Sequence, residues 1–177
     1  MNYLLTGEES ERLQFRVLKK DDFKEWEPLF EAKEAALYLG LDTTMTTHQL
    51  CEKWFEKAFW RYDNNKGGMN VLVDKKTNKM VGQSGLLIQD IEGEEFMEVG
   101  YSILPEYWGR GYASEAAQKC KEFAFDYNFK EELISMIHAD NIASQKVAIR
   151  NGMTLYKELD SYLGMPVKIF KINKTKR

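Results

Sequence analysis

Apolar residues alternate with polar ones at Leu13, Phe15 and Val17, a period of two that predicts a strand over residues 12–18. Asp21 or Asp22 can cap a helix reaching about Ala35, and a second helix is predicted from Thr47 to Tyr62 with Leu50, Trp54, Phe55, Ala58 and Phe59 inward. After Gly67-Gly68 come strands near 69–74, 80–88 and 95–104. The turn-rich stretches Asp74-Lys-Lys-Thr-Asn78 and Asp90-Ile-Glu-Gly93 between them call for antiparallel hairpins. Ala113, Ala116, Ala117, Cys120, Phe123, Ala124 and Tyr127 recur at helical spacing along one face. A strand from Leu133 to His138, a helix from Asp140 or Asn141 that stops at Asn151-Gly152, and strands at 155–159 and 167–172 complete the pattern. The order is β-α-α-β-β-β-α-β-α-β-β, with no repeat or linker, so residues 1–177 are expected to form one α/β domain. The basic end from Lys171 to Arg177 is expected to fray.

The chemistry concentrates where the strand Glu98-Val-Gly-Tyr101-Ser-Ile103-Leu104 runs through Pro105 into Trp108-Gly109-Arg110-Gly111-Tyr112-Ala113-Ser114 and a helix. Two glycines allow a tight turn and a close approach of ligand to the main chain. The first N–H groups of the helix lack intrahelical acceptors and lie at the positive end of its dipole, so the corner suits a diphosphate. A P-loop would place Gly-Lys-Ser/Thr at the turn's end, where this chain has Tyr112-Ala113-Ser114. A dinucleotide fingerprint would open the domain and be followed about 20 residues on by an acidic residue, and Asp140 lies too far along.

The turn resembles the acetyl-coenzyme A loop of the GNAT superfamily of N-acetyltransferases, Gln/Arg-x-x-Gly-x-Gly/Ala, with Trp108 departing from the first position. The form Tyr-Trp-Gly-x-Gly-Tyr-Ala-x-Glu-Ala is similar to the branch that acetylates ribosomal-protein N-termini. A second block, Asn141-Ile-Ala-Ser144-Gln-Lys-Val147-Ala-Ile-Arg150-Asn-Gly152-Met153, is similar to the same branch. Weaker likeness extends to residues 11–16, 82–85 and 98–101. The resemblance implies a GNAT fold, a mixed and mostly antiparallel central sheet flanked by helices. It also implies acetyl-coenzyme A as co-substrate, held by Gly109, Arg110, Gly111, Tyr112, Ala113 and Ser114, by main-chain groups of Ile103 and Leu104, and by Asn141.

In several GNAT enzymes a carboxylate at the position of Glu98 takes the amine's proton, often through water; an edge carboxylate or a strand salt bridge is the alternative. Many members carry a Tyr seven residues after the Asn as acid for the leaving thiolate. Here that position is Ala148, and the ribosomal-protein branch points instead to Ser144, one helical turn from Asn141. The acceptor implied is a primary amine, a protein N-terminus or a small amine. A non-catalytic acyl-coenzyme A binding module is the alternative from another class.

With 44% apolar and 13% aromatic residues in 177, the chain can bury a substantial core. A net charge of −3 argues against nucleic acid as a partner. No apolar run reaches the roughly 20 residues needed to cross a bilayer. The first residues, from Met1, carry no signal-type pattern, and Cys51 and Cys120 sit among apolar neighbours as expected of free thiols, which fits a reducing cytoplasm. Neither His48 nor His138 has partners at metal-ligand spacing, so no metal is expected. A monomer or homodimer is expected.

Overall fold

Seven strands build a twisted sheet in the order β1-β2-β3-β4-β5-β7-β6 in a computed structural model that describes residues 3–175. The strands are β1 (Leu13–Arg16), β2 (Gly67–Asp74), β3 (Lys79–Ile91), β4 (Glu94–Ile103), β5 (Glu132–His138), β6 (Thr154–Tyr162) and β7 (Met165–Asn173). Every pairing is antiparallel except β4 with β5, so the mixed α/β architecture is as the pattern implies. The long helices are α3 (Thr47–Asp63), α4 (Tyr112–Asp126) and α5 (Ile142–Arg150).

Strand alternation sorts side chains onto two faces. One face carries Phe15, Leu72, Leu86, Met97 and Val99 under α4 and α5; the other carries Val71, Val73 and Met80 under α3 and the short helices before it. With helices on both sides, β2 is buried along its whole length, and its apolar Val71, Leu72 and Val73 run together rather than alternating with exposed polar residues. A capping box starts α3: the Gln49 N–H donates to Thr46 Oγ1 at 3.2 Å and the Thr46 N–H to Gln49 Oε1 at 3.0 Å.

The first predicted helix is not continuous. It breaks into α1 (Phe23–Trp26), a 3-10 turn (Glu27–Glu31) and α2 (Lys33–Tyr38), with Ala32 extended between the last two. Pro28 explains the first interruption, because it has no N–H for the carbonyl four residues back and its ring crowds that turn. The C-terminal end also differs from expectation. β7 pairs with β5 as far as Asn173, and the Lys174 N–H donates to the Glu131 carbonyl at 2.7 Å, so the end is paired to that point. Lys176 and Arg177, like Met1 and Asn2, lie outside the described residues.

Arg61 is the other departure. It lies on the inward stripe of α3 and is 6% exposed. A buried guanidinium is tolerated where its donors find acceptors. Here Nη1 reaches the Lys66 carbonyl (3.1 Å) and the Ile88 carbonyl (3.0 Å) and Nη2 reaches Gln89 Oε1 (3.0 Å), with the Glu98 charge nearby, while Nε is buried without a hydrogen-bond partner among the described residues.

Candidate active site

β4 and β5 run parallel but stay paired at one point only, Glu98 opposite Ile134, and then diverge. Their main-chain groups at the parting are taken up by side chains. Ser135 Oγ donates to the Val99 carbonyl at 2.8 Å, and the Met136 N–H donates to the Glu98 carboxylate. Glu98 also accepts from Gln89 Nε2 at 2.6 Å. Burial drives the Glu98 pKa up, against the opposing pull of Gln89, Arg61, the Met136 N–H and Lys57. A carboxylate so placed is a stronger base than an exposed one.

Glu98 and Tyr101 are three residues apart on one strand and therefore face opposite ways. Glu98 faces α3. Tyr101 faces α4 and α5, where its hydroxyl donates to the Ser144 carbonyl at 2.9 Å and accepts from Ser144 Oγ at 3.2 Å. Burial first, and the Glu98 charge after it, push the Tyr101 phenol up to about 12 despite the hydrogen bond from Ser144 Oγ. The gap thus has a buried carboxylate on one side and a hydroxyl pair on the other. Tyr101, Ser135, Gln89 and Arg61 were not singled out from the sequence; the block Glu98-Val-Gly-Tyr101 was the signal for Tyr101.

Asn141 caps α5 as expected, its Oδ1 accepting from the Ser144 N–H at 3.1 Å. Ala148, where the resemblance led one to look for a Tyr, is 1% exposed in the core. Ala148→Tyr should therefore overpack and destabilise by about 1–3 kcal/mol, read from denaturant unfolding, rather than supply a proton donor.

The main-chain expectation needs one correction. The Leu104 N–H donates to the Val81 carbonyl at 3.0 Å and the Leu104 carbonyl accepts from the Tyr107 N–H at 2.9 Å, so Leu104 has its polar groups turned to β3 and to its own turn. By ladder alternation the groups of Tyr101 and Ile103 point the other way, into the gap. The Ile103 carbonyl there accepts from Trp108 Nε1 at 2.7 Å. This accounts for the indole at the turn's first position, since it ties the loop back to the end of β4.

Gly109 and Gly111 both adopt left-handed backbone, with φ of +74° and +81°. A Cβ on Gly109 would meet nothing within 4 Å; one on Gly111 would lie 3.4 Å from Arg12 Nη2. Gly111 is the N-cap of α4 and has no side chain to occupy the first-turn N–H groups, which include those of Ala113 and Ser114. Tyr112 points inward, its hydroxyl donating to Asp74 Oδ2 at 2.7 Å, so only its main chain belongs to the turn's surface. The Arg110 guanidinium folds back on Tyr107 and donates to the Glu106 carbonyl at 2.8 Å. Among the described residues no group of three or more His, Cys, Asp or Glu is placed to hold a metal ion, and no helix is long and apolar enough to cross a membrane. Cys51 and Cys120 are free and buried, and burial pushes both thiols up to about 12, so neither is a ready nucleophile.

Residues 12–154 match the family described as "Acetyltransferase (GNAT) domain". A relative in Bacillus subtilis, the uncharacterised protein YkkB, is 33% identical over 115 residues, 63% of this chain and 66% of its own length. Two solved structures share the fold. An acetyltransferase from Agrobacterium tumefaciens superposes with a TM-score of 0.79 at 22% identity over 98% of each chain. RimL, a ribosomal L7/L12 α-N-protein acetyltransferase in complex with coenzyme A, superposes with a TM-score of 0.75 at 20% identity over 93% of this chain and 96% of its own.

Proposed function

Because the chain belongs to the GNAT acetyltransferase family, whose members draw on acetyl-coenzyme A, we propose that it acetylates a primary amine by direct attack in a ternary complex. The coenzyme enters the β4–β5 gap from the α4/α5 side with its diphosphate on residues 109–114, and the amine enters from the α3 side. The observation that carries this reading is the placement of Glu98 and the Tyr101–Ser144 pair on opposite faces of β4, at the point where the two strands part. A protein N-terminus is the acceptor favoured by the two sequence blocks shared with the ribosomal-protein branch.

Glu98 takes the ammonium proton through an intervening water, and the freed nitrogen attacks the thioester carbonyl. The C–S bond then breaks, the electron pair leaves on sulfur, and the nitrogen sheds its second proton to solvent to give the neutral amide. A thiol has a pKa of about 8.5, so full proton transfer from a phenol at about 12 would be uphill by roughly 3.5 units, or about 5 kcal/mol. Tyr101, still accepting from Ser144 Oγ, therefore turns its O–H from the Ser144 carbonyl to hydrogen-bond the nascent thiolate, and solvent completes the protonation of sulfur.

Ser144→Ala should lower kcat about tenfold in single-turnover kinetics, equivalent to about 1.4 kcal/mol of transition-state stabilisation, with coenzyme affinity little changed. An unchanged rate would remove Ser144 from the chemistry. The reading as a whole is tested by release of free coenzyme A against a panel of N-terminal peptides and small amines. Release that depends on one acceptor class supports it, and binding without release to any amine contradicts it.

A further inference from the structure

Arg12 precedes β1 and lies 98 residues before Arg110 in sequence, yet its side chain is built into the glycine turn. Its Nε donates to Glu115 Oε2 at 2.6 Å, its Nη1 to the Arg110 carbonyl at 2.9 Å, and its main-chain N–H to Glu115 Oε1 at 2.7 Å. The guanidinium also covers the Tyr112 ring, with Cζ 4.4 Å from the centroid, and that ring is itself anchored to Asp74.

We infer that Arg12 is the positioning residue of the coenzyme turn, setting the Arg110–Gly111 peptide and neutralising Glu115 so that the turn offers N–H groups and no unpaired negative charge to a diphosphate. The inference rests on reading that turn as the coenzyme site. Two physical arguments support it. In a trans peptide the carbonyl of one residue and the N–H of the next point in opposite directions. No peptide bond among the described residues is cis, so holding the Arg110 carbonyl against Arg12 turns the Gly111 N–H to the other side of the turn. Left-handed backbone at both glycines makes this peptide one that could otherwise flip.

The second argument is electrostatic. Glu115 sits in the first turn of α4, where the helix dipole attracts anions, and it competes there with any phosphate. Burial alone would raise its pKa, but the Ser10 hydroxyl, the Arg12 N–H and the Arg12 guanidinium hold it below the usual range, so it is ionised at neutral pH. Without Arg12 that charge would repel the ligand from the site.

The test measures acetyl-coenzyme A binding by calorimetry, with steady-state kinetics alongside. Arg12→Ala should raise both Kd and KM for acetyl-coenzyme A about tenfold, a loss of the order of a charge-assisted hydrogen bond, while kcat at saturating coenzyme moves by less than about twofold. The loss should deepen at low ionic strength, where the Glu115 charge is least screened. Adding Glu115→Gln to Arg12→Ala should recover part of the affinity, whereas a purely structural role predicts a further loss. Arg12→Lys, which keeps the cation but not the planar fork, should fall between wild type and Arg12→Ala, and it answers the question if the alanine variant does not fold. Binding by Arg12→Ala or Arg12→Lys indistinguishable from wild type at low salt overturns the inference. A wild-type protein that does not bind acetyl-coenzyme A overturns the reading of the turn, and the inference with it.

Discussion

Glu98→Gln is expected to lower kcat/KM about 10²- to 10⁴-fold at neutral pH with coenzyme affinity kept, the scale on which a general base contributes. The deficit should shrink as pH rises, because free amine then forms without help. For an α-amine this recovery starts near a pH of about 8, and for an alkyl ammonium nearer about 10, so the profile also reports the acceptor class. Stability should move the other way. The folded-state pKa of Glu98 lies above its unfolded value of about 4.3, so the folded protein holds this proton more tightly. Wild-type stability is then eroded as pH climbs from about 4.3 through the raised value, and Gln has no proton to lose. The melting temperature of Glu98→Gln relative to wild type should therefore rise across that window and level off above it. The pull of Arg61 opposes burial, but the net shift is still upward, so it does not reverse the sign. A variant with the wild-type pH–rate profile would reduce Glu98 to its contacts with Gln89 and the Met136 N–H.

Gly111→Val is expected to abolish the stabilisation that acetyl-coenzyme A gives the wild type, about 2.7 kcal/mol at 100 times the dissociation constant. Valine is branched at Cβ and would have to adopt a φ of +81°, a conformation costing about 1–3 kcal/mol for a non-glycine residue. Its Cβ would also press on Arg12 Nη2, 3.4 Å away. Relief of either strain shifts the first-turn N–H groups. Gly109→Ala carries similar backbone strain, with φ of +74°, but its methyl would point into open space with nothing within 4 Å, so it removes the pressure on Arg12 from the comparison. If the ligand occupies that space, Gly109→Ala weakens binding even where the folded protein tolerates it. A folded Gly111→Val protein that keeps the full thermal response would place the phosphate site elsewhere.

The strands, the long helices and the glycine corner were legible because each is encoded locally. Alternation marks β1, three- and four-residue spacing marks α4, and Asn141 and Gly152 mark the ends of α5. Pro28 stood in the sequence too, and it marks the interruption between α1 and the 3-10 turn. The remainder was illegible for a different reason. Arg61 at the end of α3 reads as a solvated helix residue until the Ile88 and Lys66 carbonyls are brought to it. Arg12 reads as the polar half of an alternating strand until the fold sets it beside residues about a hundred positions later. Whether Ile103 or Leu104 faces the gap depends on the hydrogen-bond phase of the β3–β4 ladder, which hydrophobic pattern alone does not carry.

The central claim is that coenzyme lies between β4 and β5 with its diphosphate on the glycine turn. Titrating the isotope-labelled protein with coenzyme A and following backbone amide resonances tests it most directly. The account predicts the largest shifts at residues 109–114, with a second set running along the gap at Val99–Ile103 and Ser135–Met136. Shifts that leave these residues untouched and gather instead at the shallow surface formed by Ile91, Phe96, Tyr156 and Ile169 would contradict it.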